Sequence, residues 1–425
     1  MRVLWITYEP IGKAAQILSG STTQSGTWID ATADLLLNGN DEINLAVATI
    51  SNQSQKVVDP ESAIVYYGVS GVKRYRGKRD GKSAKQIWAA VLEDFKPDII
   101  QIWGTEFSNG LDVVEVTNGI PVVVFIQGVM RAIDKYKYGG LPLSVVSHHI
   151  NILDRIKCIK LVMNQRDIHK QVAYEEQLVC MVRNVILDND WCESQFRSFC
   201  SDLKPYRLTL AVNKSFLKDQ WNIHTARKNT IFCIAGRTPY KGLHQAIQAI
   251  AIVKQQIPDI KLIIPGDMTP QGSALLTRSP YLVYLEKLIE KEGLKDNIDF
   301  CGRLNSEQMV QQMLVANVFV MPSCIENHSS TLREAMYLGM PCISSLVGSV
   351  YELMVHNQNG LVYRYDEYED LAFHIIRVLS EPELAVKIGK NAYDSIRKMY
   401  SQTQSRDNLY LVYKSIVENV TVENH

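Results

Sequence analysis

Short, almost continuously apolar runs alternate with longer amphipathic segments along most of the chain. Such runs occur in both halves, as RVLWITY, INLAVAT, DIIQIWG, PVVVFIQG and NVILD, then IFCIAG, KLIIPGD, IDFCG, VFVMPS and PCISS. Runs that are apolar on both faces are typical of parallel strands covered by helices on each side. Helical periodicity lies between them, for example in residues 243–253, where Leu243, Ala246, Ile247 and Ile250 share one face. The alternation predicts an α/β protein with doubly wound sheets.

The alternation is interrupted near residues 205–229, where the sequence is polar and weakly periodic. A chain of 425 residues is also too long for one compact core. We therefore predict an N-terminal α/β domain over residues 1–210, a linker over residues 211–228 and a C-terminal α/β domain over residues 229–400. Residues 401–425 are predicted to form a C-terminal helix.

The overall charge is balanced, with 45 basic and 45 acidic residues, so we expect no nucleic-acid partner. The eight cysteines include no CxxC pair, which favours reduced thiols and argues against a structural zinc site. The N-terminal apolar run is too short for a signal peptide, and no run reaches the roughly 20 apolar residues of a membrane span. We expect a cytoplasmic location.

A basic tract, KRYRGKRDGKSAK, covers residues 73–85 and contains seven basic residues and one acidic residue. It predicts either a solvated loop or a peripheral contact with anionic lipid at the inner face of the cytoplasmic membrane. The tract lacks the aromatic interleaving of a platform for single-stranded nucleic acid.

The segment AGRTPYKG joins a strand-like run to a helix-like run and carries two cations, Arg237 and Lys241. A strand–turn–helix junction gathers backbone N–H groups and the positive end of a helix dipole, which suits an anion. Arginine offers a planar fork of donors to phosphate oxygens, and lysine adds a compact charge. The segment predicts a phosphate site, with an ordinary turn bearing two solvated cations as the alternative.

The segment ENHSSTLRE, about 90 residues downstream, places Glu326 and Glu334 eight positions apart. Two cations can hold a diphosphate, and two carboxylates can hold the hydroxyls of a ribose and a sugar. The two segments together therefore predict the chemistry of sugar transfer from a nucleotide donor. The alternative is a capping box in which Thr331 is the N-cap and Glu334 reaches back to it, which leaves Glu326 unexplained.

Polar residues in the first half follow predicted strands. Glu106 and Gln127 come just after buried runs, and ligands of open α/β sheets bind beyond the carboxyl ends of the strands. Both are candidates for binding an acceptor, and local loop hydrogen bonds are the alternative. Gly26, before a helical run, would let the backbone approach a ligand closely, although a simple N-cap explains this segment equally well.

These residues resemble a known family. AGRTPYKG, the strand KLIIPGD, the segment NIDFCGRL and the spacing of Glu326 and Glu334 are similar to family-4-type glycosyltransferases of the GT-B fold. WGTEF and FIQG in the first half are similar to bacterial members that build capsular or other surface polysaccharides. The resemblance implies two facing Rossmann-like, doubly wound domains, with the C-terminal helix packed back on the N-terminal domain.

The resemblance implies a retaining, metal-independent enzyme that needs no cofactor beyond its nucleotide-diphosphate sugar. The acceptor would be a saccharide or a lipid-linked saccharide. Arg237 and Lys241 would clamp the diphosphate, Glu334 would bind the ribose, and Glu326 would contact the sugar, so that Glu326, Arg237 and Lys241 form the catalytic group. The other implied donor contacts are Gly26 near the phosphates, Ile298 and Cys301 near the base, and the backbone of His328, Ser329, Ser330 and Thr331.

The chain departs from the family pattern at two positions. Many members have Glu-Gly-Phe-Gly where this chain has Glu-Asn-His-Ser from Glu326 onward, so we name no donor sugar. Many members also have a histidine where this chain has Gln127, and glutamine cannot act as a general base.

Three other functions stay open. A sugar-nucleotide epimerase of the same architecture would bind the same diphosphate, and an inactive partner subunit would bind the donor without transferring it. A metal-dependent transferase would use Asp188 and Asp190, because Asp188-Asn189-Asp190 looks like a DxD metal motif. These three residues also suit an ordinary turn and N-cap.

Overall fold

The chain divides into two compact units, each built around its own sheet. Unit 1 comprises Met1–Asp134, Val162–Ala211 and Ser401–His425, and unit 2 comprises Lys135–Leu161 and Val212–Tyr400. The computed structural model describes residues 1–20, 27–38, 42–72, 82–143, 145, 168–208, 211–267, 280–327, 329–400 and 402–423.

The described part of unit 1 forms eight strands, β1 (Arg2–Thr7), β2 (Asn44–Ile50), β3 (Gln55–Val58), β4 (Val65–Val69), β5 (Ile99–Trp103), β6 (Val122–Phe125), β7 (Asn184–Leu187) and β8 (Lys204–Arg207). They join in one sheet in the order β3-β4-β2-β1-β5-β6-β7-β8. The edge strand β3 pairs antiparallel with β4, and the other pairings are parallel.

Helices connect these strands, as the parallel pairings require. They are α1 (Gly12–Ser19), α2 (Thr27–Leu37), α3 (Lys82–Phe95), α4 (Asn109–Val114), α5 (Met130–Tyr136), α6 (residues 168–182) and α7 (Asp190–Arg197). The division between the units falls inside α5, after Asp134.

Unit 2 contains a six-stranded, all-parallel sheet in its described residues, built from β9 (Thr230–Cys233), β10 (Lys261–Ile264), β11 (Ile298–Phe300), β12 (Val318–Met321), β13 (Cys342–Ser345) and β14 (Leu361–Tyr363). The strand order is β11-β10-β9-β12-β13-β14. Its helices are α8 (Leu243–Gln256), α9 (Pro280–Lys291), α10 (Ser306–Leu314), α11 (Ser330–Tyr337), α12 (Val350–Leu353), α13 (Tyr368–Ser380) and α14 (Pro382–Met399). Short 3₁₀ turns cover Lys214–Leu217 and Pro239–Lys241.

The C-terminal helix, α15 (Gln402–Glu423), packs on the sheet of unit 1. The buried Tyr413 hydroxyl accepts a hydrogen bond from Trp5 Nε1 at 2.9 Å and donates one to Gln101 Oε1 at 2.6 Å. Leu409 and Ile416 are buried in the same hydrophobic cluster as Trp5. The last segment is therefore integral to unit 1.

The observed division differs from the predicted boundaries in two segments. The described residues 135–143 group with unit 2, although the prediction placed them in the N-terminal domain. The predicted linker of residues 211–228 is, except for Ala211, also part of unit 2. Val212 and Phe216 are buried in its core, and Trp221 Nε1 donates to Ala316 O at 2.7 Å. The few buried side chains of this segment stand among exposed polar residues, so the sequence shows no apolar periodicity there.

Candidate functional site

The two segments singled out by sequence meet in unit 2. AGRTPYKG follows β9, ENHSSTLRE follows β12, and these strands are parallel neighbours, so their carboxyl ends lie side by side. Lys241 Nζ lies 2.6 Å from Glu326 Oε1, in an ion pair joining residues 85 positions apart. The sheet topology thus brings one predicted cation and one predicted carboxylate into direct contact.

A glycine allows the two loops to approach this closely. Gly242 ends the turn that carries Lys241, with a φ of 71°. A Cβ atom there would lie 1.7 Å from the carbonyl oxygen of Pro322, so no other residue fits. Cys324 N also donates to Tyr240 O at 2.8 Å, which links the loops through their backbones.

The charge on Lys241 is maintained by its partner. Burial lowers the pKa of Lys241, but the charge of Glu326 and its hydrogen bond raise it by more, so the net shift is upward. Glu326 is 11% exposed and Lys241 34% exposed, so the pair is only partly screened by water. Lys241 is therefore a fixed cation at neutral pH.

The backbone of Glu326 is held by the loop after β13. Ser349 N donates to Glu326 O at 3.2 Å, and Ser349 Oγ donates to Asn327 O. A Cβ atom on Gly348 would lie 1.7 Å from Glu326 O. Three loops therefore converge on the ion pair, which restricts its movement.

Arg237 occupies the same loop as Lys241 but a different environment. Its side chain is exposed and donates to the backbone oxygen of Asp267, in the loop that follows β10. The second predicted cation therefore lies toward the carboxyl end of β10, while Lys241 lies toward β12.

The capping-box alternative for Glu334 is wrong. Helix α11 has Ser329 as its N-cap, without a side-chain hydrogen bond at that cap, and Thr331 lies inside its first turn. Glu334 lies two positions deeper than the capping-box position of this helix, which is Leu332, so it is not explained by N-capping. Ser329 is buried and donates to Met321 Sδ at 2.8 Å, while Ser330 and Thr331 are half-buried.

Burial raises the pKa of Glu334 to about 8, although the charge of the neighbouring Arg333 opposes the shift. Arg333 is itself buried, with its guanidinium carbon 5.0 Å from the ring centre of Tyr400. Glu334 is therefore mostly protonated at neutral pH, and hydrogen bonds from ligand hydroxyls would favour its ionised form.

Glu334→Gln is expected to stabilise unit 2 at pH 8–9 and to leave its stability unchanged near pH 4. The native pKa lies above the unfolded value of about 4.5, so the native state binds the proton more tightly and stability falls as pH rises between these values. A neutral glutamine avoids this loss, which we expect to be at least about 1 kcal/mol, roughly one pKa unit. Urea unfolding of both proteins across this pH range measures the difference, and equal stability at pH 9 would contradict the assignment.

The two residues expected near a base lie on the edge strand. Ile298 begins β11, and Cys301 follows it, with Cys301 N donating to Ile264 O at 3.1 Å. Burial raises the pKa of the Cys301 thiol. In the sheet order, β10 separates this strand from β9. Cys301 follows the carboxyl end of β11, on the side of the sheet that carries the site loops, whereas Ile298 lies at the amino end of that strand.

The acceptor-side candidates meet in unit 1. Glu106 follows β5 and Gln127 follows β6, and the hydroxyl of Tyr8, which follows β1, lies 3.2 Å from Glu106 Oε2 and 3.0 Å from Gln127 Oε1. Gly128 N donates to Glu106 Oε1 at 3.0 Å. Burial raises the pKa of Glu106, while these hydrogen bonds oppose the shift. Three neighbouring strands therefore end in one polar cluster, and sequence reasoning missed Tyr8.

A second carboxylate, Glu175 of α6, lies close to this cluster and was also missed. It is fully buried, accepts a hydrogen bond from Thr105 Oγ1 at 2.5 Å and accepts another from Met130 N at 3.0 Å. The pKa of Glu175 is raised to about 7, and burial is the largest cause. The nearby charge of Glu106 also raises this pKa. Glu175 ties the loop after β5 to the start of α5, so it supports the residues that Glu106 and Gln127 present.

The Asp-Asn-Asp segment adopts the local structure that the turn alternative predicted. Asn189 is the N-cap of α7, and its side chain accepts from Cys192 N at 2.7 Å. Asp190 pairs with Arg207 at 2.5 Å. Within the described residues, no group of three or more His, Cys, Asp or Glu side chains could hold a metal ion.

Several predicted residues lie outside the described part of the chain, namely Gly26, His328 and residues 73–81 of the basic tract. Lys82 and Lys85, at the end of that tract, lie in α3, and Lys85 pairs with Glu115. Among the described helices, none is long and apolar enough to cross a membrane.

Comparison with known proteins places this site in a recognised domain. Residues 215–395 match the family model for glycosyl transferases group 1. The putative glycosyltransferase YtcC of Bacillus subtilis is 29% identical over 210 residues, which cover 49% of each chain. The chain thus spans about half the length of the curated relatives it matches.

Solved structures match nearly the whole chain. Sucrose-phosphate synthase from Thermosynechococcus elongatus has a TM-score of 0.75 at 16% identity, covering 99% of this chain and 100% of that one. Anabaena HepE, solved with UDP and glucose, has a TM-score of 0.69 at 15% identity, covering 98% and 100%. At these identities the likeness shows the fold. Residues 215–395 therefore match the group 1 glycosyltransferase family, and the chain has the α/β fold of the GT-B glycosyltransferases.

Proposed function

We propose that this protein is a retaining, metal-independent glycosyltransferase. It moves a sugar from a nucleotide-diphosphate donor to a saccharide or lipid-linked saccharide acceptor in bacterial surface-polysaccharide synthesis. The observation that carries the proposal is the Lys241–Glu326 ion pair, which holds a charged amine at the carboxyl ends of β9 and β12 in the group 1 domain. Ligands of open α/β sheets bind at this position.

Lys241 stabilises the leaving diphosphate in this mechanism. When the bond between the sugar and the diphosphate breaks, negative charge accumulates on the phosphate oxygens. A pre-positioned cation lowers the energy of this state, and one such fixed group is typically worth about 10²–10³ in rate. Arg237 supplies the second cation, with planar donors that match phosphate oxygens. Two cations supply the charge that a divalent metal supplies in other transferases.

Two carboxylates, one in the loop after β12 and one in α11, bind the rest of the donor. Glu334 accepts hydrogen bonds from the ribose hydroxyls, and Glu326 contacts the sugar while it keeps Lys241 charged and in place. The backbone at Ser329, Ser330 and Thr331 lies at the start of α11, where the helix dipole favours negative charge. The resemblance to retaining enzymes supports attack by the acceptor on the face from which the diphosphate departs.

Unit 1 binds the acceptor through the polar cluster at the ends of β1, β5 and β6. Glu106, Gln127 and the Tyr8 hydroxyl offer both donors and acceptors, which suits the hydroxyl groups of a saccharide. The nucleotide in Anabaena HepE supports UDP as the first donor nucleotide to test. The basic tract of residues 73–85 would attract the anionic surface that carries a lipid-linked acceptor.

A nucleotide-binding panel tests this function. We expect one of UDP, GDP, ADP, dTDP and CMP to raise the thermal unfolding temperature of the protein, with no loss of the shift in EDTA. Ligand at about 100 times its dissociation constant adds roughly 2.7 kcal/mol of stability. Arg237→Ala should reduce the shift, whereas Arg227→Ala, whose residue lies before β9, should not. A shift that EDTA abolishes would contradict metal independence, and no shift with any nucleotide would contradict the donor site.

A further inference from the structure

A segment from the first half of the sequence packs against the loops of the candidate donor site. This segment, residues 136–141, which we call the brace, begins at the last residue of α5 and belongs to unit 2. Cys324 Sγ donates to Tyr136 O at 3.4 Å, and Leu141 packs against the main core cluster of unit 2. Cys324 lies two positions before Glu326, so one end of the brace contacts the loop that carries this carboxylate.

The centre of the brace is held by two hydrogen bonds to one carbonyl oxygen. Gly139 O accepts hydrogen bonds from His244 Nε2 at 3.0 Å and from the Tyr365 hydroxyl at 2.7 Å. The other ring nitrogen of His244 lies 3.0 Å from the Tyr281 hydroxyl, which donates to it. Burial lowers the pKa of His244 to about 4, so the ring is neutral and its single proton is on Nε2.

The brace also touches the turn that carries Lys241. Gly139 has a φ of 57°, and a Cβ atom there would lie 2.2 Å from the carbonyl oxygen of Pro239. Pro239 begins the 3₁₀ turn that ends at Lys241, and His244 follows Lys241 by three positions. Gly139 therefore contacts the chain on both sides of Lys241, at Pro239 in the turn and at His244 in α8.

We propose that the brace positions the Lys241–Glu326 ion pair, with Gly139 as the positioning residue and His244 and Tyr365 as its anchors. The contacts to Pro239 and Cys324 set the separation of the two loops, and the ion pair forms only at that separation. Gly139 itself does not touch the donor. The effect on turnover rests on the proposed function, whereas the effect on the ion pair does not.

Replacing Gly139 by alanine tests the brace, and Gly140 supplies a matched control. Both glycines have positive φ, at 57° and 73°, so alanine strains the backbone similarly at either position. A Cβ atom on Gly140 would meet only Tyr365 Cε1 at 3.6 Å, which is an ordinary contact distance. Gly139→Ala therefore differs from Gly140→Ala mainly in the steric clash between its new Cβ atom and the carbonyl oxygen of Pro239.

The readout is the reactivity of Lys241 toward acetic anhydride at neutral pH, measured by mass spectrometry on the full-length protein. Lys254, whose amine donates to Gly293 O at 2.7 Å, is the internal reference. Loss of Glu326 as a partner lowers the pKa of Lys241, and a fall of half a unit raises the free-amine fraction about threefold. We expect acetylation at least about threefold faster in Gly139→Ala and unchanged in Gly140→Ala.

Tyr365→Phe gives a second test that keeps the ring and removes one hydrogen bond to Gly139 O. We expect Tyr365→Phe also to raise the reactivity of Lys241, by a smaller factor than Gly139→Ala. If Gly139→Ala does not fold, Tyr365→Phe alone tests whether the brace positions the ion pair. Unchanged Lys241 reactivity in the folded variants, or an equal rise in Gly140→Ala, would overturn the brace.

A nucleotide measurement separates this inference from the proposed function. UDP affinity should fall in Gly139→Ala and stay at the wild-type value in Gly140→Ala. If the wild-type protein does not bind UDP, that result counts against UDP as the donor nucleotide, while the Lys241 reactivity still tests the brace.

Discussion

Lys241→Met is expected to lower turnover by about 10²–10³-fold, the typical value of one fixed donor that stabilises developing charge. Lys241 is the cation that the structure holds in place, since its amine lies 2.6 Å from Glu326 Oε1 and stays protonated. Methionine keeps the length of the side chain and removes the charge. The measurement is the rate of nucleoside-diphosphate release from the donor, with Lys254→Met as the control lysine.

The loss of turnover must be separated from loss of stability. Removing one partner of a buried ion pair leaves an uncompensated charge and costs about 3–5 kcal/mol, and less when the pair is partly exposed as here. The double variant Lys241→Met/Glu326→Gln removes both charges. It should recover most of the stability lost in Lys241→Met, measured by urea unfolding, without recovering turnover. Near-normal turnover in a stable double variant would contradict a role for Lys241 at the diphosphate.

Glu326→Gln is expected to lower turnover by about 10²-fold and to change its dependence on pH. Glutamine retains the size of the side chain but cannot raise the pKa of Lys241, which burial then lowers. Because the mechanism needs Lys241 protonated, activity at high pH should be lost at a lower pH than in the wild-type protein. The pH–rate profile measures this shift.

The control for Glu326→Gln is Glu307→Gln, at an exposed position in α10. It should leave both the rate and the pH profile unchanged. If Glu326→Gln has reduced turnover but loses activity at the same alkaline pH as the wild-type protein, Glu326 contacts the sugar without raising the pKa of Lys241.

The strands that the sequence predicted are those with continuous apolar runs. Each of the ten runs contains a strand. Nine of these are inner strands, and both faces of an inner parallel strand are buried, while the tenth is the edge strand β11. The missed strands are β3, β4, β8 and β14. The edge strands β3 and β8 expose alternate or polar residues, and β8 contains Pro205, which is tolerated at a sheet edge. β14 has only three residues and lies at the other edge of its sheet.

The sequence predicted the site residues that are charged and that directly follow a recognisable strand. Lys241 and Glu326 each follow a recognisable strand, so the pairing of β9 with β12 was enough to bring them together. Tyr8, Glu175 and Gly139 were missed because their partners are far away in sequence. Tyr8 meets Gln127 across 119 positions, and Gly139 meets Tyr365 across 226. No local pattern encodes such contacts, and the roles assigned to the site residues stay predictions.

The central claim is that this protein breaks the bond between a sugar and a nucleoside diphosphate without a metal. The most direct test follows donor cleavage in EDTA by proton NMR. The donors are nucleotide sugars in which the nucleotide that stabilises the protein carries glucose, galactose, mannose or N-acetylglucosamine. We predict release of the diphosphate from one of them, with the first-formed product retaining the anomeric configuration of the donor. An inverted first product, or release no faster than with Lys241→Met/Glu326→Gln for every donor, would contradict the account.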